Sequence, residues 1–373
     1  MQSITPPHID QNINSDTHNK PNNNAISSIT KGPRQSNFEL LRIVAMFMVL
    51  IVHADFLSLG RPTYDEYINT PMSSICRVFF ETFAIICVNV FVLISGWFTI
   101  KSTLKGACNF LFQCSFIIIA VYCIGQLGGL YHPRMSEWIF IGIFYDYGFY
   151  WFIRAYLILY ILAPILNYFV NNAPKRTIIF VLLSFFSIQS IGIIQLFSAP
   201  NFRYGYSPLS FVGLYLLAQT IRLHYPNYRI RTAYILFFGS FGLNTAYFLI
   251  VNFCSLWDPI DFLAYSNPLV ILQAVGLLMI FNRIHIRPNK FINWISASSF
   301  AVYLVHTNPA IIDYFKSSVL EIYNNTNSVE CLVCIFGVLC AVFAASVLID
   351  QPRKFIWKYL QRVFPTTSKV ESK

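Results

Sequence analysis

The chain has 373 residues, of which 56% are hydrophobic and only 11% are charged. About a quarter of the residues in an average soluble domain carry charge, so this composition excludes an ordinary soluble protein and indicates a protein that crosses a membrane several times. The net charge of +10 does not indicate a nucleic-acid partner, because most of the cations lie between apolar runs, as they do in the loops of membrane proteins.

The amino-terminal segment 1–36 is rich in Asn, Ser, Pro and Thr and has no apolar periodicity. We therefore predict a disordered cytoplasmic tail there. It is not expected to be a signal peptide, because it lacks a short apolar core and a small-residue cleavage site. A transmembrane domain is predicted over 37–355, followed by a basic cytoplasmic tail over 356–373.

Apolar runs of about twenty residues predict ten membrane-spanning helices, so the expected fold is an all-α, polytopic transmembrane bundle. The predicted spans lie near 38–59, 78–100, 107–130, 148–171, 177–198, 207–223, 231–253, 264–283, 295–317 and 330–350. With the amino terminus inside, the lysines and arginines that fall in outer loops are Arg61, Arg77, Arg134, Arg203 and Lys316, out of 26 in the chain. This asymmetry predicts that both termini are cytoplasmic. The apolar segment 138–147 is too short to span and is expected to lie at the interface.

The first predicted helix carries an arginine and a histidine eleven positions apart, Arg42 and His53. Eleven residues complete almost three helical turns, so both side chains lie on one face, about 16 Å apart along the axis. An arginine inside a bilayer is costly, which indicates a functional site in the membrane. The alternative is that Arg42 snorkels to the cytoplasmic interface while His53 ends the helix. Asp55 is expected at the solvated outer end.

The second predicted helix contains a carboxylate, Glu81, four positions after Arg77. Two interpretations are open, an ion pair between these residues at the interface or a carboxylate that faces a substrate. Farther along the same helix, Asn89, Ser95 and Gly96 are residues typical of close helix packing.

The fourth and ninth predicted helices supply further candidates. Trp151 lies at the predicted outer interface and fits an aromatic belt, whereas Arg154, about one turn deeper, requires a partner or a water-filled cavity. His306 lies near the middle of the ninth helix, at a depth comparable with that of His53. A lone buried histidine more often binds a backbone carbonyl, but two imidazoles at one depth indicate a shared cavity. Pro309 predicts a kink just beyond His306.

The nine cysteines are an odd number and lie almost wholly in predicted spans, where cysteine acts as a small hydrophobic residue. Cys331 and Cys334 share one helix face, but no second pair accompanies them. We therefore predict no metal site.

Several motifs, taken in order, resemble the acyltransferase-3 family, and the resemblance covers residues 37–355. These motifs are Asn37-Phe38-Glu39-Leu40-Leu41-Arg42, the Arg-x10-His spacing to His53, Phe91-Val92-Leu93-Ile94-Ser95-Gly96, Tyr150-Trp151-Phe152, and Ser299-Phe300-Ala301-Val302-Tyr303-Leu304-Val305-His306. Members of this family are integral membrane proteins that acylate cell-envelope polysaccharides and related acceptors, and the bacterial members look closest.

The resemblance implies a membrane-bound acyltransferase that moves an acyl group, expected to be acetyl, from cytoplasmic acyl-CoA to a hydroxyl group of a cell-surface or lipid-linked glycan. Acetyl-CoA is then a donor substrate and not a permanently bound cofactor. The implied partners are acyl-CoA, a glycan or glycolipid acceptor and the lipid bilayer, without nucleic acid. The implied location is the bacterial inner membrane.

The resemblance also assigns expected roles to residues. Arg42 and His53 match the family's paired arginine and histidine for donor handling and acyl transfer, and His306 matches a recurrent late histidine. Lys101 and Lys105 stand where many members have two arginines, and a lysine is a point charge without the arginine fork. Lys101, Lys105, Glu81, Trp151 and Arg154 are the expected substrate-binding residues.

Two other function classes remain open from the sequence. A transporter or flippase of a lipid-linked polysaccharide or its intermediate would line its path with Arg42 and His53. A glycan polymerase or ligase is also basic and spans the membrane many times. The fixed spacing of arginine and histidine favours the acyltransferase, because a conduit requires no set separation. Direct transfer and a covalent acyl-histidine relay are both compatible with these residues.

Overall fold

The structure is a computed structural model that describes residues 34–129, 150–191, 202–255 and 262–364. Across these residues the secondary structure is helical without any strand, which confirms the predicted all-α class. The α-helices are α1 (Ser36–Ala54), α2 (Phe56–Leu59), α3 (Tyr64–Asn69), α4 (Pro71–Ala84), α5 (Cys87–Phe98), α6 (Leu104–Leu127), α7 (Trp151–Asn172), α8 (Lys175–Ile191), α9 (Pro208–His224), α10 (Ile230–Tyr234), α11 (Ser240–Phe253), α12 (Pro268–Arg283), α13 (Lys290–Ser296), α14 (Ser299–His306), α15 (Ile312–Asn325) and α16 (Ser328–Leu360). A π-helical segment, Ile235–Gly239, joins α10 to α11, and short 3-10 helices cover Arg203–Gly205 and Gln361–Val363.

Six helical stretches among the described residues are long and apolar enough to cross a membrane. They are Ser36–Leu59, Pro71–Phe98, Leu104–Leu127, Trp151–Asn172, Ile230–Phe253 and Ser328–Val363. Helices are the expected result, because a bilayer offers no water to satisfy backbone groups and an α-helix pairs these groups internally. The chain is therefore a multi-pass membrane protein.

Several helix starts follow directly from the sequence. The side chains of Ser207 and Asn267 accept hydrogen bonds from the first turns of α9 and α12, and Pro208 and Pro268 occupy the first helical positions. Proline suits that position because its missing N–H would have no intrahelical partner there. Asn327 caps α16 in the same way as the other polar caps.

The first helix, α1, lies at the centre of the bundle. It packs against α4, α5, α12, α13 and α14, and its residues Leu41, Ala45 and Leu50 are 0% exposed. Arg42 and His53 therefore lie on a helix that neighbours enclose on most sides.

Helices α5 and α9 approach each other closely at Gly96. A Cβ atom added to Gly96 would lie 2.5 Å from the backbone oxygen of Tyr215, a distance that real Cβ contacts do not reach. Asn89, two turns earlier on nearly the same face of α5, donates a hydrogen bond to the backbone oxygen of Tyr265 at 2.9 Å. The packing role predicted for Asn89 and Gly96 is confirmed, whereas the hydroxyl of Ser95 donates to the Phe91 carbonyl of its own helix.

The ninth predicted span, expected as one helix over 295–317 with a kink near Pro309, is divided into separate helices. The helix α14 ends at His306, and α15 begins at Ile312. Pro309 explains the break, because it has no N–H and its ring disrupts the preceding turn. Asn308 stabilises the turn, since its Oδ1 accepts from the Ala310 N–H at 3.0 Å. The interruption lies where the kink was predicted but is larger.

Some predicted features lie outside the described residues. These are the tail before residue 34, the interfacial segment 138–147, the end of the fifth span beyond 191 and the last residues from 365. At the other end of the described chain, α16 continues past Pro352 to Leu360 and so enters the segment predicted as a basic tail.

Candidate functional site

A single cavity of about 690 Å³ contains both members of the arginine–histidine pair. This volume is in the range of small-molecule sites in proteins. Nine of the 21 lining residues are aromatic: Phe91, Phe110, Trp151, Phe152, Tyr156, Tyr206, Tyr265, Phe300 and Tyr303. The polar lining residues are Arg42, His53, Cys87, Ser95, Gln113, Ser296, Ser299 and Thr307. The cavity thus has an aromatic wall with a few polar groups.

At one end of the cavity, a carboxylate holds the guanidinium of Arg42. Nη1 of Arg42 donates to Oε1 of Glu39 at 2.7 Å, and Oε2 of Glu39 accepts from the hydroxyl of Ser296 at 2.5 Å. Glu39 is 7% exposed, whereas the Arg42 side chain keeps 31% of its surface accessible. Glu39 therefore fixes the position of the Arg42 guanidinium, while part of the side chain stays accessible to an anionic ligand.

At the other end, the imidazole of His53 is hydrogen-bonded to that of His306. Nδ1 of His53 lies 2.7 Å from Nε2 of His306, and the ring centroids are 4.9 Å apart. His306 is 0% exposed and lies behind His53, since His53 lines the cavity and His306 does not. The expectation that the two imidazoles reach the same depth agrees with this contact.

The hydrogen bonds assign the tautomers of both rings. The Val302 carbonyl oxygen lies 2.5 Å from Nδ1 of His306, and a carbonyl can only accept, so this Nδ1 carries a hydrogen. A neutral ring suits a fully buried position, and its Nε2 then accepts the Nδ1–H of His53. The lone pair of His53 Nε2 is left to take a proton from a ligand in the cavity. His306 thus orients His53.

An arginine secures the outer end of α1. Nε of Arg77 donates to Asp55 Oδ1 at 3.0 Å, Nη1 donates to Glu66 Oε1 at 3.1 Å, and Nη2 donates to the Gly60 carbonyl. Asp55 is 7% exposed, so the expectation of a solvated end residue is wrong. Of the two interpretations left open for Glu81, an ion pair with Arg77 is not found among the described residues, because folding places Asp55 and Glu66 against the guanidinium.

The segment over this end of α1 is itself well packed. The short helix α3 begins with a capping box between Thr63 and Glu66. Tyr67 on the same helix is 1% exposed and lies against Phe253, with ring centroids 4.8 Å apart. Burial raises the pKa of Tyr67 to about 12, so the phenol stays uncharged at physiological pH.

The structure places the five expected substrate-binding residues differently. Trp151 lines the cavity, 4.6 Å from Tyr206 and stacked on Tyr265 at 6.2 Å between ring centroids. Three others, Arg154, Lys101 and Lys105, are exposed and are not among the described residues that line the cavity.

Glu81 is only 2% exposed, and its Oε2 has no hydrogen-bond partner among the described residues. It does not belong to the described lining of the cavity either. The roles of these five residues stay predictions.

Sequence reasoning named only Arg42, His53 and Trp151 as site residues among the residues that line the cavity and missed the others, as well as Glu39, the partner of Arg42. Glu39 was readable as an i,i+3 partner of Arg42, and Gln113 as a polar residue in the middle of an apolar run. Tyr206 and Tyr265 precede α9 and α12 outside any periodic pattern, so no sequence signal pointed to them.

A family model described as "Acyltransferase domain" matches residues 35–348. The match covers all the helices that line the cavity. A comparison with curated proteins and a comparison with solved structures gave no match.

Proposed function

The chain belongs to the acyltransferase-3 family, and from this premise we propose that it transfers an acetyl group from cytoplasmic acetyl-CoA to a hydroxyl group of a cell-surface or lipid-linked glycan. Membership of the family and the apolar helices establish a membrane acyltransferase in general. The donor, the acceptor and the location in a bacterial inner membrane belong to the proposal.

One observation carries the proposal: Arg42 and His53 line the same cavity. Their separation along α1 is about 16 Å, so an elongated donor can place its phosphates at Arg42 and its thioester near His53. The guanidinium fork suits phosphate oxygens. With the orientation predicted from the loop cations, Arg42 lies toward the cytoplasm, where acyl-CoA is made, and His53 lies toward the outer face, where a glycan is reached.

The chemistry is an acyl transfer with His53 as general base. Nε2 of His53 takes the proton from the acceptor hydroxyl, and the oxygen attacks the carbonyl carbon of the thioester. The carbon–sulfur bond breaks, the thiolate leaves, and the proton on His53 passes to it, which yields the ester and free CoA. A positioned general base accelerates such a step about 10²–10⁴-fold.

His306 contributes by accepting the Nδ1–H of His53 throughout this cycle. This hydrogen bond keeps the basic lone pair on Nε2 and stabilises the imidazolium that forms when His53 takes a proton. His306 touches His53 and not the cavity, so it acts as a positioning residue in the proposal.

The test is to supply membranes containing the protein with radiolabelled acetyl-CoA and to measure label in the glycan fraction. Label that enters the glycan and is released by mild alkali supports an ester product. His53→Ala, inserted at the normal level, should lose this label. His285→Ala is the matched control, because His285 is exposed and bonded to the Arg283 carbonyl outside the cavity. Normal labelling by His53→Ala would contradict the proposal.

A further inference from the structure

One side chain in the lining of the cavity carries an amide nitrogen that the protein leaves unpaired. Gln113 on α6 lines the cavity and is 9% exposed, and its Nε2 is buried without a hydrogen-bond partner among the described residues. Other described residues also have an unpaired buried polar atom, but Gln113 is the one of them that lines this cavity. Buried polar groups in proteins are nearly always paired, so an unpaired amide nitrogen on a side chain that lines a cavity calls for a partner from outside the chain.

The position of Gln113 limits what this partner is. On α6, the carbonyl of Ile118 accepts from Asn308, two residues beyond His306, at 3.4 Å, so Gln113 lies about 8 Å along the axis before the level of the two histidines. Gln113 thus lies between the anion-binding end and the base. Phe110, one turn before it on α6, stacks on Phe300 at 5.6 Å between ring centroids.

The surroundings determine the chemistry of the partner. A ligand that passes between these rings loses its water, and any amide it carries must find another hydrogen-bond partner. A primary amide such as that of Gln113 has both N–H donors and a carbonyl acceptor. It is therefore complementary to a secondary amide, which has one of each. The arm of acyl-CoA between its phosphates and its thioester contains two secondary amides.

We propose that Gln113 binds a secondary amide of the donor's arm and so fixes the position of the thioester in the cavity. The inference rests on the proposed function for the identity of the donor. It assigns a donor-binding role to a residue in the apolar middle of the cavity, in addition to the ionic contact at Arg42.

The experiment measures binding and not transfer, so that it is decided separately from the proposed function. Purified protein in detergent is titrated calorimetrically with coenzyme A and with adenosine 3′,5′-bisphosphate, which keeps phosphates but lacks the arm. We expect Gln113→Met to weaken the binding of coenzyme A about tenfold, because one hydrogen bond is lost and the amide of the arm is left unpaired. The same change should leave the binding of adenosine 3′,5′-bisphosphate unaltered.

Asn109→Leu is the matched control. Asn109 lies one turn earlier on α6 and also has an unpaired buried amide oxygen, but it does not line the cavity. This variant should bind both ligands as the wild-type protein does. Gln113→Asn keeps the amide on a shorter side chain and should lose less affinity for coenzyme A than Gln113→Met.

Three results would overturn the inference. If Gln113→Met weakens the binding of both ligands equally, the substitution acts on phosphate binding or on the fold and not on the arm. If Gln113→Met binds coenzyme A as the wild-type protein does, Gln113 does not bind the donor's arm. If the wild-type protein does not bind coenzyme A, coenzyme A is not the ligand of this cavity. Tight, Gln113-dependent binding of coenzyme A without label in a glycan would support the inference while contradicting the proposed acceptor.

Discussion

Arg77 joins the second span to the end of α1 through a 3.0 Å contact between its Nε atom and Oδ1 of Asp55, two residues beyond His53. Both residues are 7% exposed. A buried ion pair of this kind fixes a helix end because neither charge has water to replace its partner.

We expect that removing one member of this pair destabilises the fold strongly. Arg77→Met leaves the Asp55 carboxylate buried without its partner and should lower the free energy of unfolding by about 3–5 kcal/mol, whereas Asp55→Leu should cost less, because Glu66 and the Gly60 carbonyl still bind Arg77. The double variant should lose less than the sum of the two. Thermal unfolding of the four proteins in detergent measures this coupling, and strictly additive losses would show that the pair does not stabilise the fold as a unit.

The close approach of α5 and α9 predicts a second effect on stability. Gly96→Ala places a Cβ atom against the Tyr215 backbone and should destabilise the protein by about 1–3 kcal/mol. Gly242→Ala on α11 is the matched control, because nothing lies within 4 Å of its added Cβ. It should be neutral or slightly stabilising, by up to about 1 kcal/mol. Equal melting temperatures of the two variants would contradict the packing described for Gly96.

Arg42 should act on donor binding. Arg42→Ala is expected to weaken the binding of coenzyme A about 10–100-fold, because a charge-assisted contact to phosphate is lost. Arg42→Lys should recover only part of the affinity, since lysine keeps the charge without the fork. Calorimetric titration of protein with a verified level of membrane insertion measures both. Undiminished affinity of Arg42→Ala would show that the phosphates bind elsewhere.

His306 should act on turnover. His306→Phe removes the acceptor for the Nδ1–H of His53 and should lower kcat about 100-fold with little change in the KM of the donor, a loss at the low end of what a general base contributes. His306→Gln offers a carbonyl oxygen to the same N–H and should retain more activity. Steady-state kinetics with both substrates separate kcat from KM. A kcat of His306→Phe equal to that of the wild-type protein would contradict the positioning role of His306.

The orientation of the bundle is open to a direct test. A reporter fused after Lys373 should be cytoplasmic, and one inserted at the turn Thr326–Asn327 between α15 and α16 should be external, because most loop cations fall on the side of the termini. Protease protection of each reporter in intact cells provides the measurement. An external carboxyl terminus would overturn the prediction of ten spans with both termini in the cytoplasm.

The local part of this site was predictable from the sequence, and the long-range part was not. The spacing of Arg42 and His53 depends only on helix geometry, which a bilayer enforces, and both residues line the cavity. His306 was expected at a similar depth because two outward-running helices can be aligned by length alone. These inferences needed no knowledge of which helices touch.

Arg77 shows where such reasoning stops. Its nearest carboxylate along the helix is Glu81, yet it binds Asp55 and Glu66 from segments that tertiary packing brings over it. The gain of a local i,i+4 pair is only a few tenths of a kcal/mol, so packing easily overrides it. Tyr206 and Tyr265 were missed for a related reason, because their place in the cavity follows from the positions of α9 and α12.

In the proposed reaction, the aromatic wall of the cavity affects which nucleophile reaches the thioester. An imidazole that deprotonates a sugar hydroxyl also activates water, and hydrolysis would then waste the acyl group. The four phenylalanine rings in the lining offer water no hydrogen-bond partner, so water is held only at the polar groups between them. A sugar hydroxyl, carried in by a ligand that fills the space, therefore competes against little water. In the proposed reaction, replacing these rings with small polar residues should raise hydrolysis of the thioester relative to transfer.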